Sequence, residues 1–581
     1  MEQKSVHRLI YKIESKMLRR AKWNLTLPLQ TAMRTCPDVI VALNDSQCLR
    51  FIDDINGDTD ITNDVRGIQR KIRNIKKREK TPNNRMLIRA YYDTLYRLQF
   101  QKDYICVVMN NNADYDRANK GFSINYGSVD GKDVIVRYRR FLGTNGGIKN
   151  STIVYVNEEI YQELKRRLDN GRDMTKKLVP AKLEAYQALI CSGSTPLPPP
   201  KGFIVINDCV THFKEDVILI DDSVDGEPKM TYERDYEIEH NDSDGYGLML
   251  PSYSKRVNEF LSGNGDEPIT GMNTRYAWSK GMLYTFDYVD FAEKEAGSYM
   301  VQDAWGDWRD VRDAEVILTV SMLKLWDSYE SWEDYYANCE KNGYSFCVTK
   351  TSPDELEKVR DTNYQFLQDY EFTDEELEEL CAPTVQEIQD VLGLDYRKSL
   401  VFLCGIGLND KNAFRKSDED GQDYLRALMV DKRLIYDPYV RRRIYNQIRN
   451  RITMAERGII HVHGNYQMIS GDPFALAQNM FGMQVTGLLK KGEVYSRYWL
   501  DAGADEVVCF RAPMTCSSNL RRMRVSDSET CQYWYQYIKT ALIYNAWDSA
   551  CEAMNGADKD KRKTVLVKFG EPVNAGCRNG G

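Results

Sequence analysis

Asp558-Lys559-Asp560 stands on a polar loop between two short apolar segments, Thr540-Ala541-Leu542-Ile543-Tyr544 and Thr564-Val565-Leu566-Val567. Both segments are rich in β-branched and aliphatic residues and read as strands. In an extended loop alternate side chains point the same way, so Asp558 and Asp560 can face one ion together. Two converging carboxylates suit a hard cation such as Mg²⁺, which prefers oxygen ligands. An Asp-x-Asp pair in a polar turn is also an ordinary solvated turn, so the pair takes its meaning from the rest of the chain.

With 581 residues, 42% of them hydrophobic and 11% aromatic, the chain can build several domains with large cores. Its formal net charge is −7, yet it holds 79 Lys and Arg. Overall acidity does not exclude nucleic-acid binding, which depends on where the basic residues cluster. No window is long and apolar enough for a membrane helix, and Met1-Glu2-Gln3-Lys4-Ser5-Val6-His7-Arg8 lacks the apolar run of a signal peptide. The 14 cysteines contain no Cys-x-x-Cys pair and read as reduced thiols. A cytoplasmic protein is expected, without membrane partners. The five histidines make no metal-ligand pattern, although His461 and His463 can share one strand face.

In chain order, Leu9, Ile10, Ile13 and Met17 fall at helical spacing and predict an amphipathic helix and turn over residues 1–34. Two helices are expected over 61–102, broken at Thr81-Pro82, with a basic run at 70–78 that is either a phosphate contact or a solvated face. Tyr104–Met109 reads as a strand. Residues 134–156 read as strand, Gly-rich turn and strand, with Arg139 and Arg140 beside the turn as candidate nucleic-acid contacts. Residues 158–192 read as helical, and the Pro-rich stretch 195–200 as a domain boundary. Residues 329–400 read as mostly helical, and 421–457 as a basic helical stretch in which Arg442 and Arg443 are candidate nucleic-acid contacts.

Five motifs then stand in order. They are Ser243-Asp244-Gly245-Tyr246-Gly247, Arg275-Tyr276-Ala277-Trp278-Ser279-Lys280-Gly281, Ser321-Met322-Leu323-Lys324, Arg511-Ala512-Pro513 and Gly556-Ala557-Asp558-Lys559-Asp560. Gly492-Glu493-Val494-Tyr495-Ser496-Arg497 adds a looser match. In this order they resemble the core of the RNA-dependent RNA polymerases of RNA silencing and of the single-chain phage RNA polymerases. The resemblance covers islands within about residues 130–567. It implies an α+β fold with two double-psi β-barrels and helical N-terminal and linker regions. The expected division is 1–193 as a helical and mixed N-terminal domain, 201–328 as the first barrel, 329–457 as the helical linker and 458–581 as the second barrel, truncated after the Asp-x-Asp loop.

The resemblance further implies nucleotidyl transfer, with ribonucleotides added to an RNA 3′ end on an RNA or single-stranded DNA template, nucleoside triphosphates as substrates and Mg²⁺ (or Mn²⁺) as cofactor. Asp558 and Asp560 would hold the metal, and Arg275, Lys280, Lys324 and Arg511 would contact the triphosphate or backbone phosphates. The family's loop continues Gly-Asp after the second Asp; here those places are Lys561 and Arg562. A unit charge pair at ~4 Å is worth about 4 kcal/mol at an effective dielectric near 20, so replacing a carboxylate by a guanidinium works against metal binding. The chain is therefore expected to be a truncated or impaired polymerase, the alternative being a non-catalytic nucleic-acid-binding or structural interaction protein.

Overall fold

The computed structural model describes residues 7–27, 39–57, 62–76, 81–129, 132–221, 228–263, 265–368, 371–403, 423–554, 556, 559 and 562–567. The N-terminal part is built on a seven-stranded sheet of order β2-β5-β6-β7-β4-β1-β3. Its strands are β1 (His7–Glu14), β2 (Asn24–Thr26), β3 (Ile40–Asn44), β4 (Tyr104–Val108), β5 (Phe122–Val129), β6 (Lys132–Leu142) and β7 (Thr152–Asn157). The helix expected from residue 7 onward is thus a strand, followed by one short helix, Ser15–Arg20. β1 lies between β4 and β3, and its neighbours Ile10 and Tyr11 are both buried, one in the core on each face. A strand covered on both faces is apolar in succession, and that succession imitated a helical period. The two helices at Thr62–Lys76 and Pro82–Gln99 form as predicted, the second capped by the Thr81 hydroxyl.

Two further seven-stranded sheets follow. The first takes β8 (Thr195–Pro196), β9 (Phe203–Ile206), β12 (Tyr246–Met249), β13 (Gly271–Tyr276), β14 (Ser279–Thr285), β17 (Val316–Thr319) and β18 (Cys347–Thr351). The second takes β19 (Val359–Asp361), β20 (His461–Ser470), β21 (Glu493–Tyr495), β22 (Glu506–Phe510), β23 (Arg521–Val525), β24 (Ala541–Tyr544) and β25 (Arg562–Val567). The strands at Cys347 and Val359 interrupt the stretch expected to be mostly helical. Both belong to sheets whose other strands are remote in sequence, and such partners leave no local signal.

The two sheets repeat one topology. In the first, β9–β17 is parallel, β17–β12 antiparallel, β12–β14 parallel, and β14–β13 and β13–β18 antiparallel. In the second, β20–β24 is parallel, β24–β21 antiparallel, β21–β23 parallel, and β23–β22 and β22–β25 antiparallel. Each runs first, fifth, second, fourth, third, sixth in chain order. In the second sheet β25 also pairs antiparallel with β20, which closes six strands into a ring. The inner faces of both sheets share one core, in which Ile206, Leu248, Tyr284 and Ile317 meet Met468, Ala475 and Ile543.

Between β9 and β12 the chain extends a hairpin, β10 (Val210–Asp221) and β11 (Lys229–Asn241), whose strands, among the described residues, pair only with each other. Between β16 (Trp308–Asp310, paired with β15, Met300–Gln302) and β17 lies only a short turn. Between β19 and β20 stands a helical region that packs Val391, Leu403, Leu428, Ile444 and Ile448 together. Its helix Asp374–Leu392 starts on a capping box, Thr373 with Glu376.

Candidate active site

Three motifs of the first sheet converge on one turn. The Gly245 N–H donates to the Ser321 hydroxyl at 2.9 Å, and the Met282 N–H donates to the Gly245 carbonyl at 3.0 Å. The Lys280 N–H donates to Met322 O at 3.0 Å and the Lys324 N–H to Trp278 O at 3.1 Å. Lys280 and Lys324 therefore lie on adjacent segments. Gly281 is required by this approach: a Cβ there would stand 2.5 Å from the Gly245 carbonyl and 2.6 Å from Met322. The Lys324 ammonium is held by the Ser321 carbonyl. Ser321 in turn donates to Asp208 at 2.8 Å, and Asp208 accepts Asn241 at 2.7 Å.

The loop after β24 is fastened to this turn. The Lys559 N–H donates to the Asp244 carbonyl at 3.1 Å, and Arg511 donates to the Gly556 carbonyl at 2.7 Å. Arg511-Ala512-Pro513 and Asp244-Gly245-Tyr246-Gly247 thus grip one loop from the two sheets. Asp558 and Asp560 lie outside the described residues, as does Lys561. Among the described residues no group of three or more His, Cys, Asp or Glu is placed to hold a metal ion.

A buried charge cluster lies at this junction. Lys559 is 2% exposed. Burial by itself lowers its pKa, but its interactions with the groups around it, Cys551, Asp242, Glu552 and Asp244, outweigh burial and hold it above the ordinary lysine value. His240 Nδ1 meets Glu552 at 2.5 Å, and His240 Nε2 lies 3.6 Å from Asp242. Burial works against protonating His240; the two carboxylates beside it, Asp242 and Glu552, prevail and raise it. Across the junction the Asp472 N–H donates to Asp242 at 2.8 Å. Asp472 caps the helix Pro473–Met480, accepting Phe474 and Ala475 N–H groups, and also accepts Leu488 N–H and Tyr535 hydroxyl. Burial, with Asp242 adding to it, pushes its carboxyl up to about 6. Asp208 and Asp472 each stand two residues past the first strand of their six-strand repeat.

The other predicted residues are spread over the molecule. Arg275 lies opposite Lys280 in the β13–β14 register, but its guanidinium turns to Asn273 and Thr274 in a crevice shared with Gln47, Ser194 and Tyr344. Arg139 lies 4.3 Å over the Tyr161 ring and Arg140 pairs with Glu184, both on the N-terminal sheet. Arg443 is held by Tyr424 and Tyr439, while Arg442 is exposed on the same helix. His461 pairs with Asp361 and Glu387, so its alternation with His463 reflects strand packing. Residues that sequence patterns did not single out are Asp208, His240, Asp242, Asp472, Glu552 and Lys559. The only sequence signal for two of them is the recurrence of an Asp just beyond β9 and β20.

No protein-family model matches the chain. It is 28% identical over 388 residues to the DNA-directed RNA polymerase YonO of Bacillus phage SPbeta, covering 65% of this chain and 41% of that protein. In sequence the chain is thus similar to a phage RNA polymerase. Its fold is similar to that of the RNA dependent RNA polymerase QDE-1 from Thielavia terrestris, with a TM-score of 0.51 and 13% identity over 80% of this chain and 49% of that one. The chain thus spans somewhat under half the length of the polymerases it resembles. Among the described residues no helix is long and apolar enough to cross a membrane.

Proposed function

We propose that the two repeated sheets are double-psi barrels and that the loops meeting between them form a nucleotidyl-transfer site, so that the chain acts as an RNA polymerase on an RNA or single-stranded DNA template. The hydrogen bond from Lys559 N–H to Asp244 O carries this reading, because it brings the Asp-x-Asp loop onto the turn that also gathers Lys280 and Lys324. Two lysines on adjacent segments offer compact positive charge that can follow phosphate oxygens as charge redistributes. Arg511 serves first to hold the loop, through Gly556. The fixed backbone at Gly556 and Lys559 suits a loop that presents carboxylates to an ion. Asp558 and Asp560 would hold Mg²⁺, which when bound activates an attacking hydroxyl and stabilises the departing pyrophosphate. The Lys559 ammonium itself balances Asp242 and Glu552.

The specific test is incorporation of labelled ribonucleotides on single-stranded RNA and DNA, with and without a primer, in Mg²⁺ and in Mn²⁺. The chain is run beside Lys561→Gly with Arg562→Asp. Incorporation by either supports the reading, and incorporation by the double variant alone assigns impairment to Arg562. Absence of incorporation from both, with salt-sensitive binding retained, moves the assignment to a nucleic-acid-binding protein without catalysis. The second reading is favoured by one sequence observation, the run Lys561-Arg562-Lys563 beside Asp560.

A further inference from the structure

The helix Pro438–Glu456 buries Val440, Ile444, Ile448 and Arg451 and turns a different stripe to solvent. Arg441, Arg442, Tyr445, Arg449 and Ile452 fall along that stripe, with Arg441, Tyr445 and Arg449 spaced four residues apart. Four residues advance a helix by ~6 Å, a step that suits the successive bases of an extended strand. Tyr445 is 64% and Ile452 42% exposed. Elsewhere on the helix arginines are engaged: Arg451 pairs with Asp361 and Glu387, and Arg443 with the Tyr439 hydroxyl and the Tyr424 ring. Arg441, Arg442 and Arg449, by contrast, meet no carboxylate among the described residues. Over Pro438–Glu456 the one acidic residue is Glu456, at the end.

We propose that this stripe is a binding surface for single-stranded nucleic acid, with the Tyr445 ring stacking on a base and Arg441, Arg442 and Arg449 taking flanking phosphates. Guanidinium groups alternating with an exposed aromatic ring are the chemistry of sequence-tolerant single-strand binding. The three cations, which meet no carboxylate among the described residues, favour a polyanion over a neutral apolar partner. The surface rests on the polymerase reading for its biological sense, but it is distinct from the loops between the barrels. Arg451 fastens the helix to β19, beside the start of β20, and β20 runs ten residues, ~30 Å, before it reaches Asp472.

The test is fluorescence anisotropy of a labelled 20-nucleotide oligo(dT) and oligo(U) with the full chain, over a salt series. Tyr445→Ala should weaken binding about tenfold with an unchanged salt slope, and Tyr445→Phe should restore it. Arg441→Ala, Arg442→Ala and Arg449→Ala should each weaken binding and reduce the slope of log K against log salt by about 0.7. Arg433→Ala, which removes an equal charge already paired with Asp431, should do neither. All these side chains are exposed, so melting curves should be unchanged. Wild-type binding that Tyr445→Ala and Arg449→Ala leave intact would overturn the surface while the incorporation test still judges the polymerase reading. Equal competition by a polyglutamate peptide, lost in the same variants, would overturn it in favour of an acidic protein partner. No binding by the wild-type chain at low salt overturns the surface and weighs against both nucleic-acid readings.

Discussion

Replacing Gly471 by alanine tests how closely the two repeated sheets meet. A Cβ at Gly471 would stand 2.1 Å from the Asp242 carbonyl oxygen and 2.5 and 2.6 Å from its carboxylate oxygens. Ordinary carbon–oxygen contact needs more than 3 Å, so Asp242 must retreat by roughly 1 Å into a core that is close-packed. Overpacking of this kind costs about 1–3 kcal/mol. The retreat also breaks the bond from Asp472 N–H to Asp242, a hydrogen bond to a charged group worth about 1.5–3 kcal/mol. Together the loss is about 2.5–6 kcal/mol, and it falls on the junction that positions Lys559. Urea unfolding followed by tryptophan fluorescence reads it, because Trp534 lies in the shared core. Gly67→Ala is the control: nothing stands within 4 Å of its added Cβ, and in a helix the change should stabilise by about 1 kcal/mol. A Gly471→Ala chain that unfolds at the wild-type urea concentration would refute the close approach.

Lys559→Met leaves Asp242 and its neighbours without their buried counter-charge and should destabilise by about 3–5 kcal/mol, read by the same urea titration; a change below 1 kcal/mol would remove the ammonium from the cluster. Asp472 has a carboxyl raised in the folded state to about 6, so the folded chain binds this proton more tightly than the unfolded one and the site's stability falls as pH rises through 6. Relative to Asp472→Asn, the wild type should gain about 1.4 kcal/mol between pH 7 and pH 5, and a pH-independent difference would contradict the shift. Lys280→Ala should raise the KM for ribonucleotides in the incorporation assay, whereas Arg275→Ala, in the crevice against the N-terminal part, should lower melting temperature with less effect on KM.

How far the sequence reached can be judged element by element. The strands around the Asp-x-Asp loop were legible because Leu542, Ile543, Val565 and Leu566 form short β-branched and aliphatic runs bounded by polar turns. The helix at Asp374 was legible from its acidic first turn. β1 was not, because burial on both faces replaces alternation by a run. The motifs Asp-Gly-x-Gly, Lys-Gly and Ser-Met-Leu-Lys were visible as separate islands, but not the hydrogen bonds that tie Gly245 to Ser321 and Met282. His240 and Glu552, 312 residues apart, meet through the pairing of whole sheets, which no local pattern encodes. Asp472 caps the helix Pro473–Met480, but its contact with Asp242 depends on the second sheet lying against the first.

The hairpin of β10 and β11 has one more consequence, for how the molecule distributes charge. Residues 210–241 hold ten acidic and three basic residues, a formal −7, which equals the excess of the entire chain. The remaining 549 residues are, taken together, electrically neutral. The two strands also carry exposed Ile218, Ile220, Met230 and Tyr232, and among the described residues neither outer edge is paired with a third strand. Such edges invite another copy to add on. Carboxylates along them make that addition repulsive at low ionic strength and progressively less so as salt screens them. The prong that makes the chain acidic therefore opposes strand addition between copies, while the body behind it carries no net charge to oppose a phosphate backbone.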